Sequence, residues 1–253
     1  MASVDIVTNG QGPGLVVLPG MTRRARHYQA LAEALADAFT VHVVERRGRG
    51  KSPAQGDDYG LEVEVSDTLE VLEETKSRQI FGHSYGGLVA LHAALRTELD
   101  RVIVYEPGVS VHGSLPWEWL PRYEELLAAG HDARAMVHFL HSCDFMPGGP
   151  VATAAVWGMQ RFNAEGRATR EMLPTVVRES RVVRELDSDG SRYAAVTAPT
   201  LLLGGGRSPA YTQEALILLA DTIPDARLVL TPGLDHNAPD LSGPAAVAEL
   251  IRA

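Results

Sequence analysis

Short continuous apolar runs set the rhythm of the first hundred residues: Leu15-Val16-Val17-Leu18, Val41-His42-Val43-Val44 and Arg101–Tyr105. Runs of this length, closed by Pro19-Gly20 or by polar turns, predict strands buried on both faces. Between them, apolar residues recur at helical spacing. Leu31, Ala34, Leu35 and Ala38 make one face over His27–Phe39, and Val65, Leu69 and Leu72 make another over Glu62–Glu74. Val4–Thr8 precedes the turn signal Asn9-Gly10 and predicts an edge strand paired in a hairpin. Residues 78–95 read as strand, glycine-rich turn and helix. Alternating strands and helices with short connections predict an α/β fold, a mostly parallel central sheet flanked by helices.

After Glu106-Pro107 the rhythm breaks. Helical patterns occupy Pro116–Ala129, Asp132–His141, Pro150–Asn163 and Ala164–Leu186, the last interrupted near Pro174. The sheet pattern resumes at Thr200–Gly204, followed by a helix at Tyr211–Asp221 and a strand at Arg227–Leu230. A loop, Thr231–Pro239, and a final helix from Gly243 to Arg252 complete the chain. This predicts a core domain from residues 1–107 and 194–253, with a helical insertion at 108–193.

Composition narrows the function classes. In 253 residues, 45% are hydrophobic and 22% charged, enough to bury a full core. The net charge of −9 argues against nucleic acid or an anionic membrane as a partner. A single cysteine, Cys143, excludes an internal disulfide and a cysteine-based zinc cluster, and a packed thiol is the expected role. No metal and no cofactor are implied. The N-terminus lacks the basic and apolar regions of a signal peptide, and no apolar run reaches about 18 residues, so a cytoplasmic location is expected. Homo-oligomerisation is left open. Gly50-Lys51-Ser52 resembles the end of a phosphate-binding loop, but Glu45 stands where that loop needs glycine and Pro53 follows where a helix should start.

The chemistry centres on Gly82-His83-Ser84-Tyr85-Gly86-Gly87, which matches G-x-S-x-G. A strand that turns sharply into a helix presents the serine at the apex, and the flanking positions must be nearly bare. The following helix aims its unpaired N–H groups and positive dipole end at the serine, where negative charge develops in acyl transfer. In a parallel sheet, ligands gather at the carboxyl ends of the strands. Ser84, Pro19-Gly20-Met21, the turn Arg46–Ser52 and Glu106 all fall there.

With Leu18-Pro19-Gly20-Met21, Arg47-Gly48-Arg49-Gly50-Lys51-Ser52 and Gly233-Leu234-Asp235-His236, these residues make the chain resemble the α/β-hydrolase superfamily over nearly its whole length. The resemblance implies a helical cap inserted after the sixth strand of the family and catalytic residues in the order serine, acid, histidine. It implies Ser84 as nucleophile, His236 as base, and the backbone N–H groups of Met21 and Tyr85 as the oxyanion hole. The acid departs from the common pattern. Its usual position in Gly204-Gly205-Gly206-Arg207-Ser208-Pro209 is Ser208, which carries no charge. Glu106, at the end of the Arg101–Tyr105 strand, occupies the place where a minority of the superfamily holds its acid and is the favoured third member. Asp235, another acid or none is the alternative.

His83 is expected to point away from the catalytic face, and Glu45, Arg46 and Arg47 to form a solvated turn. Trp117, Trp119, Phe139 and Trp157 of the insertion are expected to roof the substrate pocket. The function expected is a serine hydrolase acting on a carboxylic ester or related small apolar acyl substrate. The same residues also suit carbon–carbon bond hydrolysis, lactone opening or closure, and acyl transfer; a hydrolase scaffold that binds without turnover is the remaining alternative.

Overall fold

The structure is a computed structural model and describes residues 2–253. Its strands are β1 (Asp5–Gly10), β2 (Gly14–Leu18), β3 (Thr40–Glu45), β4 (Gln79–His83), β5 (Arg101–Tyr105), β6 (Thr200–Gly205) and β7 (Ala226–Thr231). They form one sheet in the order β1-β3-β2-β4-β5-β6-β7. All pairings are parallel except β1 with β3. The hairpin expected at the N-terminus is not formed. Strand β2 is flanked on both sides, by β3 and β4, so it has no free edge to offer. Strand β1 therefore passes over to the outer edge of β3, with Asp5 opposite Glu45 and Gly10 opposite Thr40.

Successive strand side chains point to opposite faces, so each apolar strand feeds two cores. Val16, Leu18, Ile80, Val102, Val104 and Leu202 pack on one face with helices α2 (Leu61–Thr75), α3 (Tyr85–Ala94) and α8 (Ala210–Thr222). Leu15, Val17, Phe81, Ile103, Leu201 and Leu203 pack on the other with α1 (Gln29–Leu35) and α9 (Pro244–Arg252). Helices on both faces explain why these strands read as unbroken apolar runs.

The register aligns the functional ends of the strands. Leu18 is paired with Gly82, Gly82 with Val104, and Val104 with Leu202. Each chain then leaves the sheet at nearly the same level, which brings the 19–22 loop, Ser84, Glu106 and the 204–208 loop together.

Between β5 and β6 lie α4 (Leu120–Ala128), α5 (Asp132–Ser142), α6 (Pro150–Phe162) and α7 (Ala164–Glu185). They have their own core, including Trp119, Tyr123, Met136, Phe139, Leu173 and Val176. Helix α7 runs through Pro174 without a break. Proline forfeits one intrahelical hydrogen bond, but Leu173 and Val176 on either side are fully buried and hold the helix in place. The Tyr123 hydroxyl also donates to the Leu173 carbonyl at 2.8 Å, which ties α4 to α7 beside the proline.

Candidate active site

Ser84 stands between β4 and α3 with φ 53° and ψ −122°, a strained conformation for a residue with a side chain. The turn is close-packed on every side. A Cβ on Gly86 would lie 2.1 Å from the Leu18 carbonyl oxygen, and one on Gly82 would lie 2.4 Å from that of Gly86. Neither position accepts any side chain. Among the described residues, six non-glycine positions have positive φ, and three of them, Thr22, Ser84 and Glu106, line one cavity. Backbone strain thus concentrates where the sequence places the chemistry.

Glu106 follows β5 with φ 41° and is 1% exposed. Its Oε2 lies 2.7 Å from His236 Nδ1, and its Oε1 accepts the Gly205 N–H at 2.7 Å. Burial, the largest influence, pushes the Glu106 pKa up. The hydrogen bond and charge of His236, with the Gly205 N–H, outweigh it and hold the group below its ordinary value. The ionised carboxylate can only accept, so His236 Nδ1 carries a hydrogen and directs it at Glu106. Ser208 lies near Glu106 and contributes least to this lowering; its hydroxyl completes no hydrogen bond. Asp235 does not face the imidazole. Its Oδ1 accepts from the Asn237 N–H at 3.0 Å and the Ser242 hydroxyl at 2.7 Å, which ties it into the turn that follows.

The Gly204–Gly206 run has a structural cause. A Cβ on Gly205 would stand 2.3 Å from the Leu234 carbonyl oxygen, and one on Gly206 would stand 2.7 Å from Pro232 Cα. Bare backbone here lets the 232–236 loop lie across the end of β6 and bring His236 to Glu106. The ring of His236 is stacked on Phe145, with centroids 4.4 Å apart and planes 14° from parallel.

Gly20 abuts the nucleophile: a Cβ there would lie 3.2 Å from Ser84 Cβ. Among the described residues, neither the Met21 nor the Tyr85 N–H donates to a protein acceptor, and both residues line the cavity. The Ser84 hydroxyl likewise has no hydrogen-bond partner among the described residues. Catalytic hydrogen bonds of this kind are often completed only when substrate is bound.

His83, 2% exposed, joins the two loops that flank Ser84. Its Nε2–H donates to the His236 carbonyl oxygen at 2.8 Å, which leaves Nδ1 to accept the Tyr28 hydroxyl at 2.6 Å. The Tyr28 oxygen accepts the Gly20 N–H at 3.0 Å. Burial, then the neighbouring His236, pushes the His83 pKa down to about 4, so the ring is neutral as this tautomer requires.

The cavity has a volume of about 120 Å³ and opens to solvent. Trp117, Trp119 and Phe139 form part of its wall, as do Phe145 and Tyr211, which carry no recognisable signal in the sequence. Trp157 is not among them, contrary to expectation. It is 57% exposed and meets Phe162 edge-on at 5.9 Å. In α6 only Val156 and Gln160 are buried, and a neighbour in sequence is turned about 100° away on a helix. Cys143 also lines the cavity, but burial pushes its thiol up to about 12, so it stays protonated and unreactive. Among the described residues no group of three or more His, Cys, Asp or Glu side chains could hold a metal ion.

Glu45 and Arg46 do not form a solvated turn either. They are 5% and 1% exposed, Glu45 paired with Arg24 and Arg46 with Glu179 of α7. Arg47 is paired with Asp67 through bonds of 2.6 and 2.9 Å.

A sharp serine turn, a buried carboxylate behind a histidine and two free N–H groups are what an acyl-transfer site requires. The model of the alpha/beta hydrolase family matches residues 15–250. The chain belongs to that family. It is 27% identical to N-formylmaleamate deformylase of Pseudomonas putida, over 92% of this chain and 86% of that protein. It is 26% identical to the pimeloyl-[acyl-carrier protein] methyl ester esterase of Nitrosomonas europaea, over 96% of each. Among solved structures, an alpha/beta hydrolase from Sphaerobacter thermophilus superposes with a TM-score of 0.82 at 29% identity, covering 98% of this chain and 94% of that one. These relatives are hydrolases, of both ester and non-ester type. No helix among the described residues is long and apolar enough to cross a membrane.

Proposed function

We propose that this protein is a serine hydrolase that cleaves a neutral, largely apolar acyl compound, most simply a carboxylic ester, through an acyl-enzyme at Ser84. The observation that carries the reading is the 2.7 Å contact between His236 Nδ1 and the buried Glu106 carboxylate, beside a strained serine. A free serine is a poor nucleophile. His236 Nε2 takes the Ser84 proton as Oγ adds to the carbonyl carbon, and Glu106 stabilises the imidazolium. The carbonyl oxygen, now negative, accepts the N–H groups of Met21 and Tyr85. Collapse expels the alcohol, which receives the proton from His236. Water then adds to the acyl group with His236 again as base, the acid leaves, and Ser84 is restored. The insertion serves as a cap that keeps bulk water from the walls built by Trp119 and Phe139.

The substrate class follows from charge. Among the described residues the cavity is lined by one guanidinium, Arg23, which is already paired with Asp240 and donates to Asn237 at 3.2 Å. Among these residues no unpaired Lys or Arg remains there to hold a carboxylate, whereas Val109, Leu115, Trp117 and Phe145 offer apolar surface. Amide-type cleavage is the second reading, favoured by the similarity to a deformylase.

A fluorophosphonate probe tests the proposal. It should label the folded protein at Ser84, with labelling abolished in Ser84→Ala. A folded wild-type protein that resists the probe contradicts it.

A further inference from the structure

The turn after β3 carries a buried ion cluster that the reaction described above does not use. Arg46 and Arg49 are 1% and 2% exposed, and they face Glu64 and Glu179, 2% and 0% exposed. Arg46 Nη1 donates to Glu64 Oε1 at 2.8 Å and Nη2 to Glu179 Oε2 at 3.2 Å. Arg49 Nη2 donates to Glu179 Oε1 at 2.6 Å, and Gln55 Nε2 joins the same oxygen at 3.2 Å. Well-packed apolar residues in place of such a cluster are often as stable or more so. Stability alone therefore does not account for it.

The remaining contacts of Arg46 point to the site. Its Nε donates to the Pro19 carbonyl at 2.9 Å and its Nη2 to the Gly20 carbonyl at 3.1 Å. Its guanidinium carbon lies 4.7 Å from the centre of the Tyr85 ring. The Gly20 C=O and the Met21 N–H are opposite ends of one peptide unit, which resonance keeps planar. Fixing the direction of that carbonyl fixes the direction of the N–H on the other side. A cation at the carbonyl oxygen also polarises the peptide, which strengthens the N–H as a donor.

We propose that Arg46 is a positioning residue that aims the Met21 N–H into the oxyanion hole, and that Glu179 on α7 ties this setting to the seating of the cap. The inference rests on Met21 and Tyr85 being the oxyanion donors. It makes the cap more than a roof: the buried carboxylate of α7 holds the guanidinium that holds the oxyanion loop. Arg46 touches neither substrate nor Ser84 and acts only through the 19–21 backbone.

The test compares wild type with Arg46→Lys, using p-nitrophenyl butyrate as substrate and an alkyl trifluoromethyl ketone as an analogue whose tetrahedral adduct places an oxyanion in the hole. Lysine keeps the charge, but one nitrogen cannot span Pro19, Gly20, Glu64 and Glu179 together. Removing one oxyanion donor costs about 10²–10³ in kcat, so mis-aiming one should cost about 10–100-fold. The ketone should weaken by the same factor while KM stays within about twofold and the unfolding midpoint holds. Unchanged kcat and ketone affinity overturn the inference, as does a loss confined to KM. Should Arg46→Lys fail to fold, Arg46→Met with Glu64→Gln removes one charge of each sign and leaves Arg49 paired with Glu179. The same parallel loss is expected there, and wild-type values overturn the inference. A wild-type protein that neither hydrolyses the ester nor binds the ketone overturns the catalytic reading itself, and the inference with it.

Discussion

Glu106 holds two loops at once. One carboxylate oxygen takes the His236 Nδ1–H and the other takes the Gly205 N–H, both at 2.7 Å. A glutamine there keeps the size but offers an amide that can turn its NH₂ toward the imidazole, leaving the ring in the wrong tautomer and its charge unsupported. Glu106→Gln should therefore lower kcat by about 10⁴-fold, by analogy with neutralising the acid of other triads. Steady-state kinetics with p-nitrophenyl butyrate decides it. A loss of only a few-fold would mean that another group supports His236. At this scale the sequence was informative in an indirect way. Ser208 stands where the family pattern expects a charge, which leaves Glu106 as the carboxylate that the sequence offers at a strand end, and Glu106 is the one in contact with His236. Phe145 could not be found the same way, because an aromatic residue in an irregular segment carries no periodicity that says which way it faces, and Tyr211 stands in the first turn of α8, where the helical pattern has only begun.

Among the elements, the His83 relay couples three segments of the core and carries a pH dependence. It spans the loop after β2, the end of β4 and the loop after β7 through Tyr28, His83 and the His236 carbonyl. The unfolded His83 titrates near 6.5 and the folded one near 4. Between those values only the unfolded chain takes up this proton, so stability from this group is complete above about pH 6.5. It is lost as the pH falls toward 4, by about 3 kcal/mol in all. His92, also pushed down to about 4 by burial and Arg192, adds a loss of the same sign over the same range. Glu106, held below 4.5, contributes stability that is lost only at still lower pH. Urea unfolding at pH 7 and pH 4.5 should show a marked drop for the wild type and a smaller one for His83→Gln. Equal drops would mean that His83 is not the sensor.

The elements themselves were legible where one physical rule governed them. Strands β2, β4 and β5 read plainly because burial on both faces leaves no polar position to confuse the pattern. The partner of β1 did not, since Asn9-Gly10 is a local signal and the choice between β2 and β3 depends on which strand has a free edge. The passage of α7 through Pro174 was hidden for a related reason. Local propensity argued for a break, and packing of Leu173 and Val176 in the insertion overrode it.

For the whole molecule, the sheet places the reacting groups and the insertion adds the walls. Ser84, Glu106 and His236 come from distant chain segments and line one cavity, brought together by strand order rather than by proximity in sequence. That convergence could be anticipated because strands in this order must end at one level. The exposed face of α6, by contrast, gave a misleading signal: Trp157 looks like pocket material in the sequence but packs edge-on against Phe162 at the surface. Which side of a helix faces a cavity depends on its rotation about its own axis, and α6 carries too few buried positions, Val156 and Gln160, to mark it. Arg46 in the turn after β3 was equally opaque. Its charge reads as solvent-facing until Glu179, far along the chain, is laid against it.

The central claim is that turnover passes through an acyl group on Ser84. Its most direct test is rapid acid quench of the protein during hydrolysis of p-nitrophenyl butyrate, followed by peptide mass spectrometry. A butyryl group on the peptide containing Ser84, absent in Ser84→Ala, is the predicted result. Hydrolysis that persists in Ser84→Ala, or a butyryl group carried by a different residue, would contradict the account.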